Sequence, residues 1–372
     1  MVQRIVIAGL GDTGVLCAAS LAKKHEVIAI GAAPLHLSGQ ELGLRLSRPE
    51  EWRKQYATPY PRYRKLDSAR IVQARLRSLI LKERKVLIEA TNGEEESLPF
   101  DALVIATGVS NGFWRRPSLN TEAEVRAEVQ KTAALFYHAK DIAIVGGGPS
   151  GVSSAAALAT RYPEKNVHLF VSGDLPHSGY HQRVREKVVR RLRGKGVELH
   201  FNSRVQIPAS ENSKLPQGGT LRFQNSESTF DANLILWCVG NTAPNSDWLP
   251  SEILNEQGFV RVDPMLRVEG QSCIYAVGDI AATDPSRSSA RNEGHRVVDS
   301  NLSRELAGRS VKRRYRPPAY RWGSIFGLED DGLRVYTPGG GVVLIPRVIF
   351  EHFIMPVFVA RGIYGGIRST TQ

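Results

Sequence analysis

Two glycine-rich loops carry the clearest chemical signal in this sequence. Both have the spacing GxGxxG, formed in the first loop by Gly9, Gly11 and Gly14 and in the second by Gly146, Gly148 and Gly151. In this spacing the first glycine permits a tight turn, the second lets the backbone approach a phosphate, and the third allows a helix to pack closely on a strand. The N–H groups at the start of the following helix favour anions. Each loop therefore predicts a site for the phosphates of a dinucleotide.

The same order of elements must position both loops. Strand, helix and strand are predicted at Arg4–Ala8, Thr13–Lys24 and Glu26–Ile30, and again at Asp141–Val145, Ser150–Arg161 and Asn166–Val171. An apolar strand that ends in glycine then closes each unit, as FDALVIATG from Phe100 and as FDANLILWCVG from Phe230. Strand, crossover helix and parallel strand make the βαβ unit of α/β folds. The repeat therefore predicts two Rossmann-like domains.

A third motif, CIYAVGDIAA, follows the second unit at residues 273–282. Its apolar strand ends in Gly278 and Asp279, ahead of a stretch with helical character. A carboxylate in this place can accept hydrogen bonds from sugar or ribityl hydroxyls, or it can cap the next helix. Because two dinucleotide loops precede it, we favour a cofactor role for Asp279.

Neither unit has the acidic residue that commonly binds the adenosine ribose after the second strand. That strand is followed by Gly31 in the first unit, which leaves the adenosine contact unexplained, and by Ser172 in the second. No carboxylate is obviously placed there to repel a 2′-phosphate, and Arg183 and Arg185 lie downstream. We therefore expect NADPH to be accepted at least as well as NADH, with Asp174 left open as an alternative acid.

The composition limits the remaining function classes. A chain of 372 residues with 42% hydrophobic and 23% charged residues predicts a globular protein of two domains with an appendage. No uninterrupted apolar stretch is long enough to span a bilayer, and the first strand begins too early for a signal peptide, so we expect a cytoplasmic location. The net charge of +12 favours anionic ligands, but no nucleic-acid-binding module is evident and we expect no nucleic-acid partner.

The three cysteines further narrow the chemistry. Cys17, Cys238 and Cys273 form neither a CxxC pair nor a cluster with the spacing of metal ligands. We therefore expect no metal site and no relay of electrons through a protein disulfide.

Taken in order, these motifs resemble the two-dinucleotide flavoprotein reductases, the pyridine nucleotide–disulfide oxidoreductase superfamily. The resemblance covers residues 4–306 and rests on the two loops, on ATG at Ala106–Gly108, on the strand that ends at Gly240 and on YAVGD at Tyr275–Asp279. Within the superfamily, the chain is most similar to the apoptosis-inducing-factor-like reductases, which include ferroptosis-suppressor-type quinone reductases, and to the type II NADH dehydrogenases. The stretch RYRPPAYRWGSIFGLEDDG, residues 314–332, is similar to the tail of the first group.

The resemblance implies a domain plan and a set of binding residues. An FAD-binding domain of residues 1–110 and 242–310 would be interrupted by an NAD(P)H-binding domain of residues 111–241 and followed by a short C-terminal α+β appendage of residues 311–372. For FAD, the implied residues are Gly9, Gly11, Asp12, Thr13, Gly14, Arg45, Val72, Ala106, Thr107, Gly108, Gly278 and Asp279. For NADPH or NADH, they are Gly146, Gly148, Pro149, Ser150, Gly151, Ser172, Arg183 and Gly240.

Two positions bear on catalysis. Arg316 stands where ferroptosis-suppressor-type relatives have a basic residue close to the active site, and it would stabilise negative charge on a reduced flavin or quinone. Many relatives carry a glutamate near the nicotinamide where this chain has Ser153. A proton shuttle assisted by a carboxylate is therefore not expected at that point.

The expected function is that of an FAD-dependent NAD(P)H oxidoreductase that passes electrons to a small acceptor such as a quinone. A reductase for a ferredoxin-type carrier and a nucleotide-sensing scaffold with slow turnover remain as alternatives. The apolar segment 342–368 contains three apolar pairs at helical spacing, Val348-Ile349, Phe353-Ile354 and Val357-Phe358. It predicts a core-packing helix, a homodimer interface, or a helix at the inner surface of a membrane, flanked by Arg347 and Arg361 and giving access to a lipid quinone.

Overall fold

The computed structural model describes residues 2–39, 41–115, 117–209, 214–224, 226–239, 242–283, 290–317 and 319–368. In chain order, the strands are β1 (Arg4–Ala8), β2 (Glu26–Gly31), β3 (His36–Leu37), β4 (Ala57–Thr58), β5 (Ala69–Ile80), β6 (Lys85–Ala90), β7 (Glu95–Pro99), β8 (Ala102–Ile105), β9 (Val109–Ser110), β10 (Asp141–Val145), β11 (Asn166–Phe170), β12 (Glu198–His200), β13 (Gln217–Arg222), β14 (Thr229–Trp237), β15 (Ala243–Pro244), β16 (Ile274–Ala276), β17 (Leu328–Glu329), β18 (Gly332–Tyr336) and β19 (Val342–Pro346).

The helices connect these strands and cover the sheets. They are α1 (Asp12–Leu21), α2 (Leu42–Ser47), α3 (Pro49–Tyr56), α4 (Glu122–His138), α5 (Pro149–Arg161), α6 (Gln182–Gly194), α7 (Ala290–Leu306) and α8 (Arg347–Ile349), which continues as a π-helix over Phe350–Ile363. Short 3₁₀ turns occupy Tyr60–Arg62, Arg64–Leu66, Ser251–Ile253 and Gly278–Ile280.

Two sheets form the body of the molecule. The first has the order β16-β8-β1-β2-β5-β6-β7, in which β16 to β5 run parallel and β6 and β7 extend the sheet as an antiparallel meander. The second has the order β12-β11-β10-β14-β13, in which only β13 is antiparallel. The central strands β1 and β10 are apolar and almost wholly buried, as strands covered by helices or chain on both faces must be.

The register of the sheets confirms that the two units are a repeat. Ala8 at the end of β1 pairs with Ile30 on β2 and with Ile105 on β8. At the end of β10, Val145 pairs in the same way with Phe170 on β11 and Trp237 on β14. Both glycine loops consequently leave the carboxyl edge of a central parallel strand, which is where ligands bind in open α/β sheets.

The chain crosses between the sheets twice. It leaves the first sheet after β8, builds the whole second sheet, and returns to add β16 beside β8. The two crossing segments, β9 and β15, pair with each other as antiparallel strands. This confirms the predicted α/β class, with one Rossmann-like domain inserted into another and a C-terminal appendage, while the exact domain boundaries remain a prediction.

The appendage contacts both domains. Its strands β17, β18 and β19 form a small sheet beside α6, where Arg191 and Lys195 bind the buried carboxylate of Glu329 at 2.8 and 2.9 Å. The end of the chain returns to the first domain, where Arg368 pairs with Asp67 at 2.6 Å. Between these anchors runs the helix that begins with α8. Among the described residues, no helix has the length and apolar character needed to cross a bilayer.

Candidate dinucleotide and acceptor cavity

One large cavity, with a volume of about 1880 Å³, lies along the carboxyl edges of the central strands. Its wall includes the glycine loop after β1, the glycine loop after β10 and the inner side of the C-terminal helix. The cavity therefore connects the two predicted dinucleotide sites with each other and with the appendage. Its first half is the part beside the loop after β1, and its second half is the part beside the loop after β10.

The outer two glycines of each loop have the same structural reason to be glycine. A Cβ on Gly9 would lie 2.6 Å from the carbonyl oxygen of Ala106, and one on Gly146 would lie 2.4 Å from that of Cys238. Both residues also have positive φ, +104° and +121°, which side chains disfavour. A Cβ on Gly14 would lie 1.8 Å from the oxygen of Gly9. The loops are thus held tightly against the ends of neighbouring strands.

The middle glycines differ, because their space is open. At Gly11 and at Gly148, an added Cβ would have no atom of the described chain within 4 Å. Each of these glycines is the residue before a helix, α1 or α5, and each lines the cavity. The open space lies where the first N–H groups of the helix can reach a ligand. This is the environment that an approaching pyrophosphate requires.

Asp279 lies in the first half of the cavity and forms an ion pair. Its Oδ2 accepts a hydrogen bond of 2.7 Å from the guanidinium of Arg115, which also approaches Gly39 and Gly108. Gly278 precedes it with φ +82°, and the space above it is bounded by Thr13. The carboxylate is thus held beside the first glycine loop by a cationic partner that sequence reasoning missed, and its binding of FAD stays a prediction.

Arg45 is almost fully buried and fixes α2 to the neighbouring elements. It donates to the carbonyl of Trp114 at 3.2 Å, pairs with Glu128, and lies over the ring of Trp52. Burial lowers the pKa of the Arg45 guanidinium and the Glu128 carboxylate opposes that shift. Arg45 lines the cavity, but its charge is already compensated within the protein.

A network of polar side chains lies beside the first loop, with His36 and Tyr63 buried and Asp12 half-buried. His36 Nδ1 lies 2.6 Å from the hydroxyl of Tyr63, and its Nε2 lies 3.2 Å from Asp12 Oδ1. Burial is the main cause that raises the pKa of Tyr63 to about 12. The ring of Tyr364, from the appendage, packs against Tyr63 and His36. All four residues line the cavity. Asp12 was predicted; His36 and Tyr63 were not, since no spacing in the chain joins them.

The second half of the cavity is lined by the end of β11 and by residues after β12. Ser172 is on the wall, and so are Arg185 and Arg204; a contact of Ser172 with NAD(P)H stays a prediction. Arg185 donates to the carbonyls of Pro176 and Leu175 at 2.9 and 2.8 Å. Arg204 is exposed towards solvent. Sequence reasoning missed Arg204 because it follows a short edge strand rather than the glycine loop.

His177 is the most unusual side chain in this half. It is buried, it lines the cavity, it has φ +59°, and neither ring nitrogen has a hydrogen-bond partner among the described residues. Burial, together with the nearby charges of Arg321 and Arg185, lowers its pKa to about 3. A buried polar group without a partner is costly. Its nitrogens are therefore available to a ligand that enters this half.

The C-terminal helix covers part of the cavity with apolar side chains. Phe350, Met355, Val359, Ile363 and Tyr364 line it from the inner side of the helix. On the outer side, Val348, Ile349, Phe353 and Phe358 are at least half exposed. The helix predicted from the spacing over residues 348–358 is confirmed, although most of it is wound as a π-helix with Pro356 inside, and the start of the apolar segment, Val342–Pro346, is strand β19 instead.

The predicted site residues fall into four groups. Those that line the cavity are Gly9, Gly11, Asp12, Thr13, Arg45, Ala106, Thr107, Gly108, Gly278, Asp279, Gly146, Gly148, Pro149, Ser150 and Ser172. Gly14 and Gly151 pack beneath their loops, while Val72 packs in the core near the lining residues Ala74–Arg77. Gly240 lies outside the described residues.

The fourth group consists of two exposed residues that do not line the cavity. Arg183 is exposed on α6 and faces Gly340 of the appendage, and Arg316 is exposed near the start of the appendage. The basic side chain that the appendage brings to the cavity is instead Arg321, which lies over Gly179. The roles predicted for Arg183 and Arg316 therefore have no cavity contact to support them.

The three cysteines are free thiols. Cys17 is packed in the first core and Cys238 lies against the second loop, and burial raises the pKa of both thiols far above its ordinary value. Both are therefore protonated and weakly nucleophilic. Ser153, at the position of the relatives' glutamate, is buried and donates to the carbonyl of Ser150.

Comparison with known proteins agrees with this geometry. The pyridine nucleotide-disulphide oxidoreductase family matches residues 3–294. Ferroptosis suppressor protein 1 of Xenopus tropicalis is 30% identical over 261 residues, which are 67% of this chain and 67% of that protein. Apoptosis-inducing factor homolog B of Dictyostelium discoideum is 25% identical over 316 residues, 80% of this chain and 79% of that one.

Solved structures show the likeness of fold. The NADH-bound water-forming NADH oxidase of Lactobacillus brevis is matched with a TM-score of 0.64 at 17% identity, over 94% of this chain and 77% of the oxidase. NDH2 of Plasmodium falciparum in complex with NADH is matched with a TM-score of 0.62 at 16% identity, over 76% of this chain and 64% of that one. The chain thus spans less than two thirds of the length of some relatives.

Proposed function

The chain belongs to the pyridine nucleotide-disulphide oxidoreductase family, and from this premise we propose that it transfers electrons from NAD(P)H through FAD to a quinone. Membership confirms the expected class and cofactors, an FAD-dependent oxidoreductase that uses NADH or NADPH. The observation that carries the proposal is the single cavity that joins both glycine loops and ends beneath an apolar helix. The acceptor, the coenzyme preference and the membrane contact are the proposed part.

The residues of the first half fit FAD. The open space at Gly11 accommodates a pyrophosphate, and Asp279 is placed to accept hydrogen bonds from a polyol chain. Arg115 compensates the charge of Asp279 and keeps its carboxylate in place. In the second half, the open space at Gly148 and the unpartnered nitrogens of His177 fit the phosphates and polar groups of NAD(P)H.

The chain contributes orientation and electrostatics to the reaction. FAD and NAD(P)H, when bound, supply the hydride chemistry. The two loops line one cavity, so they would hold their ligands next to each other, which is the positioning that brings reacting atoms together. His36, Tyr63 and Asp12 form a chain of proton-carrying groups on the wall of the first half. These three side chains can hold a proton near the acceptor, whereas Ser153, which has no carboxylate, cannot.

NADPH is the preferred coenzyme in this proposal. The end of β11 presents Ser172 to the cavity, and Asp174 is turned outwards, where its carboxylate contacts Arg185 at 3.4 Å. Arg204 lines the same region and is exposed to solvent. A guanidinium recognises a phosphate by paired hydrogen bonds. Arg204 therefore replaces Arg183 as the side chain we assign to the 2′-phosphate.

The coenzyme proposal is tested with single substitutions. Arg204→Ala should raise the KM for NADPH by about 10-fold or more, the effect of losing a hydrogen bond between charged groups, and leave NADH nearly unchanged. Arg183→Ala is the matched control, because Arg183 is exposed outside the cavity. A strong preference of the unmodified protein for NADH would contradict the assignment.

A quinone suits the part of the cavity that the C-terminal helix covers. The side chains of Met355, Val359 and Ile363 offer an apolar wall, and the outer side of the same helix exposes Phe353 and Phe358. An apolar outer surface flanked by basic residues is typical of a helix that lies on a membrane. The helix would thereby bring a lipid quinone from the membrane to the cavity.

The proposed function is tested by two half-reactions. Anaerobic addition of NADPH should bleach the flavin absorbance, and addition of a quinone should restore it rapidly and with stoichiometric consumption of quinone. A ferredoxin and molecular oxygen are tested as alternative acceptors by the same measurement of flavin reoxidation. Rapid reoxidation by the ferredoxin alone would assign a protein carrier, and absence of multiple turnovers with every acceptor would favour a sensing scaffold.

A further inference from the structure

A cluster of metal-binding side chains lies outside the cavity, on the second sheet. His168 is on β11, and Glu198 and His200 are on the neighbouring edge strand β12. One nitrogen or oxygen from each side chain lies within 4.8 Å of the others. None of the three residues lines the dinucleotide cavity. The cluster is therefore unused by the proposed reaction.

The pairing of the two strands creates this cluster. In the parallel register, His168 lies opposite Glu198 and Phe170 lies opposite His200. Residues two apart in a strand point to the same face, so all these side chains share one face of the sheet. Because the ligands come from two strands, no local spacing such as CxxC or HxxxH could have predicted the cluster.

Neighbouring aromatic rings hold the imidazoles in place. The ring of His200 stacks on Phe170, with centroids 4.3 Å apart and planes 9° apart. The ring of His168 meets the edge of Phe230 at a centroid distance of 4.7 Å. His168 is buried, whereas the side chain of Glu198 is 61% exposed. Two ligands are thus preorganised and the third is free to adjust.

The two distances from His168 match those around a tetrahedral metal, and all three ligand atoms lie within 4.8 Å of one another. His168 Nδ1 lies 3.2 Å from His200 Nε2 and 3.2 Å from Glu198 Oε2. Bonds of about 2.0–2.1 Å to a tetrahedral zinc ion place neighbouring ligand atoms about 3.3 Å apart. A single imidazole nitrogen offers either one proton or one lone pair, so it can satisfy only one of its two neighbours. A cation among the three atoms would satisfy all of them at once.

We propose that His168, Glu198 and His200 form a zinc site with one coordination position left for water. Two imidazoles and a carboxylate are a ligand set that zinc accepts. The site fastens the edge strand β12 to β11. The main chain beyond it is connected to the nucleotide half, since Val171 N donates to His200 O and Ser203 N donates to Val171 O. Ser203 and Arg204 line that half of the cavity.

Zinc binding is measured on the full-length, flavin-loaded protein after removal of any polyhistidine tag and of metal by dialysis. Isothermal titration with ZnCl₂ should show one site per chain, and Co²⁺ should give the intense visible absorption of a tetrahedral complex. His200→Phe keeps the ring against Phe170 and removes the nitrogen, and Glu198→Gln keeps the shape without the charge. His138→Gln, at an exposed histidine on α4, is the matched control.

The zinc affinity should be unchanged in His138→Gln and at least about 100-fold weaker in His200→Phe and in Glu198→Gln. This magnitude is expected because even the loss of a hydrogen-bond partner of a metal ligand weakens metal binding by about 10- to 100-fold. Zinc should raise the Tm of the unmodified protein but not that of His200→Phe. Retained flavin absorbance shows that each variant is folded. Absence of a stoichiometric site, or equal zinc affinity in all three variants, overturns the proposed zinc site. Neither result bears on the proposed oxidoreductase function, which the half-reactions test separately.

Discussion

Replacing Gly148 with alanine should separate nucleotide binding from folding. The residue has φ −78° and ψ −179°, an extended conformation that alanine adopts without strain. No described atom lies within 4 Å of the Cβ that the substitution adds. Alanine restricts the unfolded chain more than glycine does. The free energy of unfolding of the protein without NADPH should therefore rise by about 0.4–1 kcal/mol.

The same methyl group should weaken NADPH binding. It would occupy the open space through which the pyrophosphate approaches the start of α5. A hydrogen bond to a charged group contributes about 1.5–3 kcal/mol, so displacement of the phosphates should weaken binding by about 10- to 150-fold. Gly148→Ala thus predicts opposite changes in stability and affinity.

Two other glycines supply the comparison. At Gly151 an added Cβ would lie 1.9 Å from the carbonyl oxygen of Gly146, so Gly151→Ala should lower the free energy of unfolding by about 1–3 kcal/mol through overpacking. Gly194 is the last residue of α6 and also has open space. Gly194→Ala controls for the general effect of replacing glycine and should leave nucleotide binding unchanged.

The assay pairs two measurements. The first is urea unfolding of the proteins without NADPH, and the second is stopped-flow flavin reduction at a series of NADPH concentrations. Flavin content should be normal in Gly148→Ala, because the first loop is untouched. Unchanged saturation by NADPH would show that the phosphates do not approach Gly148. A large loss of stability in the same variant would show that the space around it is filled.

Three further predictions concern thiols, the appendage and pH. A variant with every cysteine replaced by alanine should keep its NADPH–quinone turnover, and a flavin that is still reduced but no longer reoxidised would reveal a thiol relay. The double variant Phe353→Asp, Val357→Asp should slow reoxidation of the flavin by quinone or abolish binding to liposomes, while the rate of flavin reduction stays within a few-fold of that of the unmodified protein. Slowed flavin reduction with normal reoxidation would place the helix on the nicotinamide side. Because the pKa of His177 is lowered to about 3, its neutral form is favoured by folding, so stability should fall by up to about 1.4 kcal/mol per pH unit as pH drops below about 6.5. Urea midpoints of His177→Gln should fall less steeply over that range, and an equal slope would contradict the assignment.

The glycine loops could be predicted from the sequence because their determinants are local. The spacing of Gly9, Gly11 and Gly14 is dictated by one turn and one helix start, and the second loop repeats it. The strands beside each loop follow from short apolar runs that are buried on both faces. The fold class and the positions of both loops therefore needed no knowledge of distant contacts.

The partners of the site residues could not be predicted in the same way. Arg115 reaches Asp279, and His36 reaches Tyr63, only after the sheets have formed. Arg183 was predicted to line the nucleotide half because it follows the loop in sequence, but α6 turns it outwards and β12 delivers Arg204 instead. Each difference comes from the direction of an element, which periodicity leaves undetermined.

The appendage has to be tested by point substitutions because it is part of both cores. Ile325, Phe326 and Tyr336 pack in the core of the second domain, so truncation before Val311 would remove core side chains together with the helix. It would also leave the cations of Arg191 and Lys195 without the Glu329 carboxylate that they now contact. The outer side of the helix carries none of these contacts. A change there that slows only reoxidation would therefore report on the acceptor, whereas a truncation would report on stability.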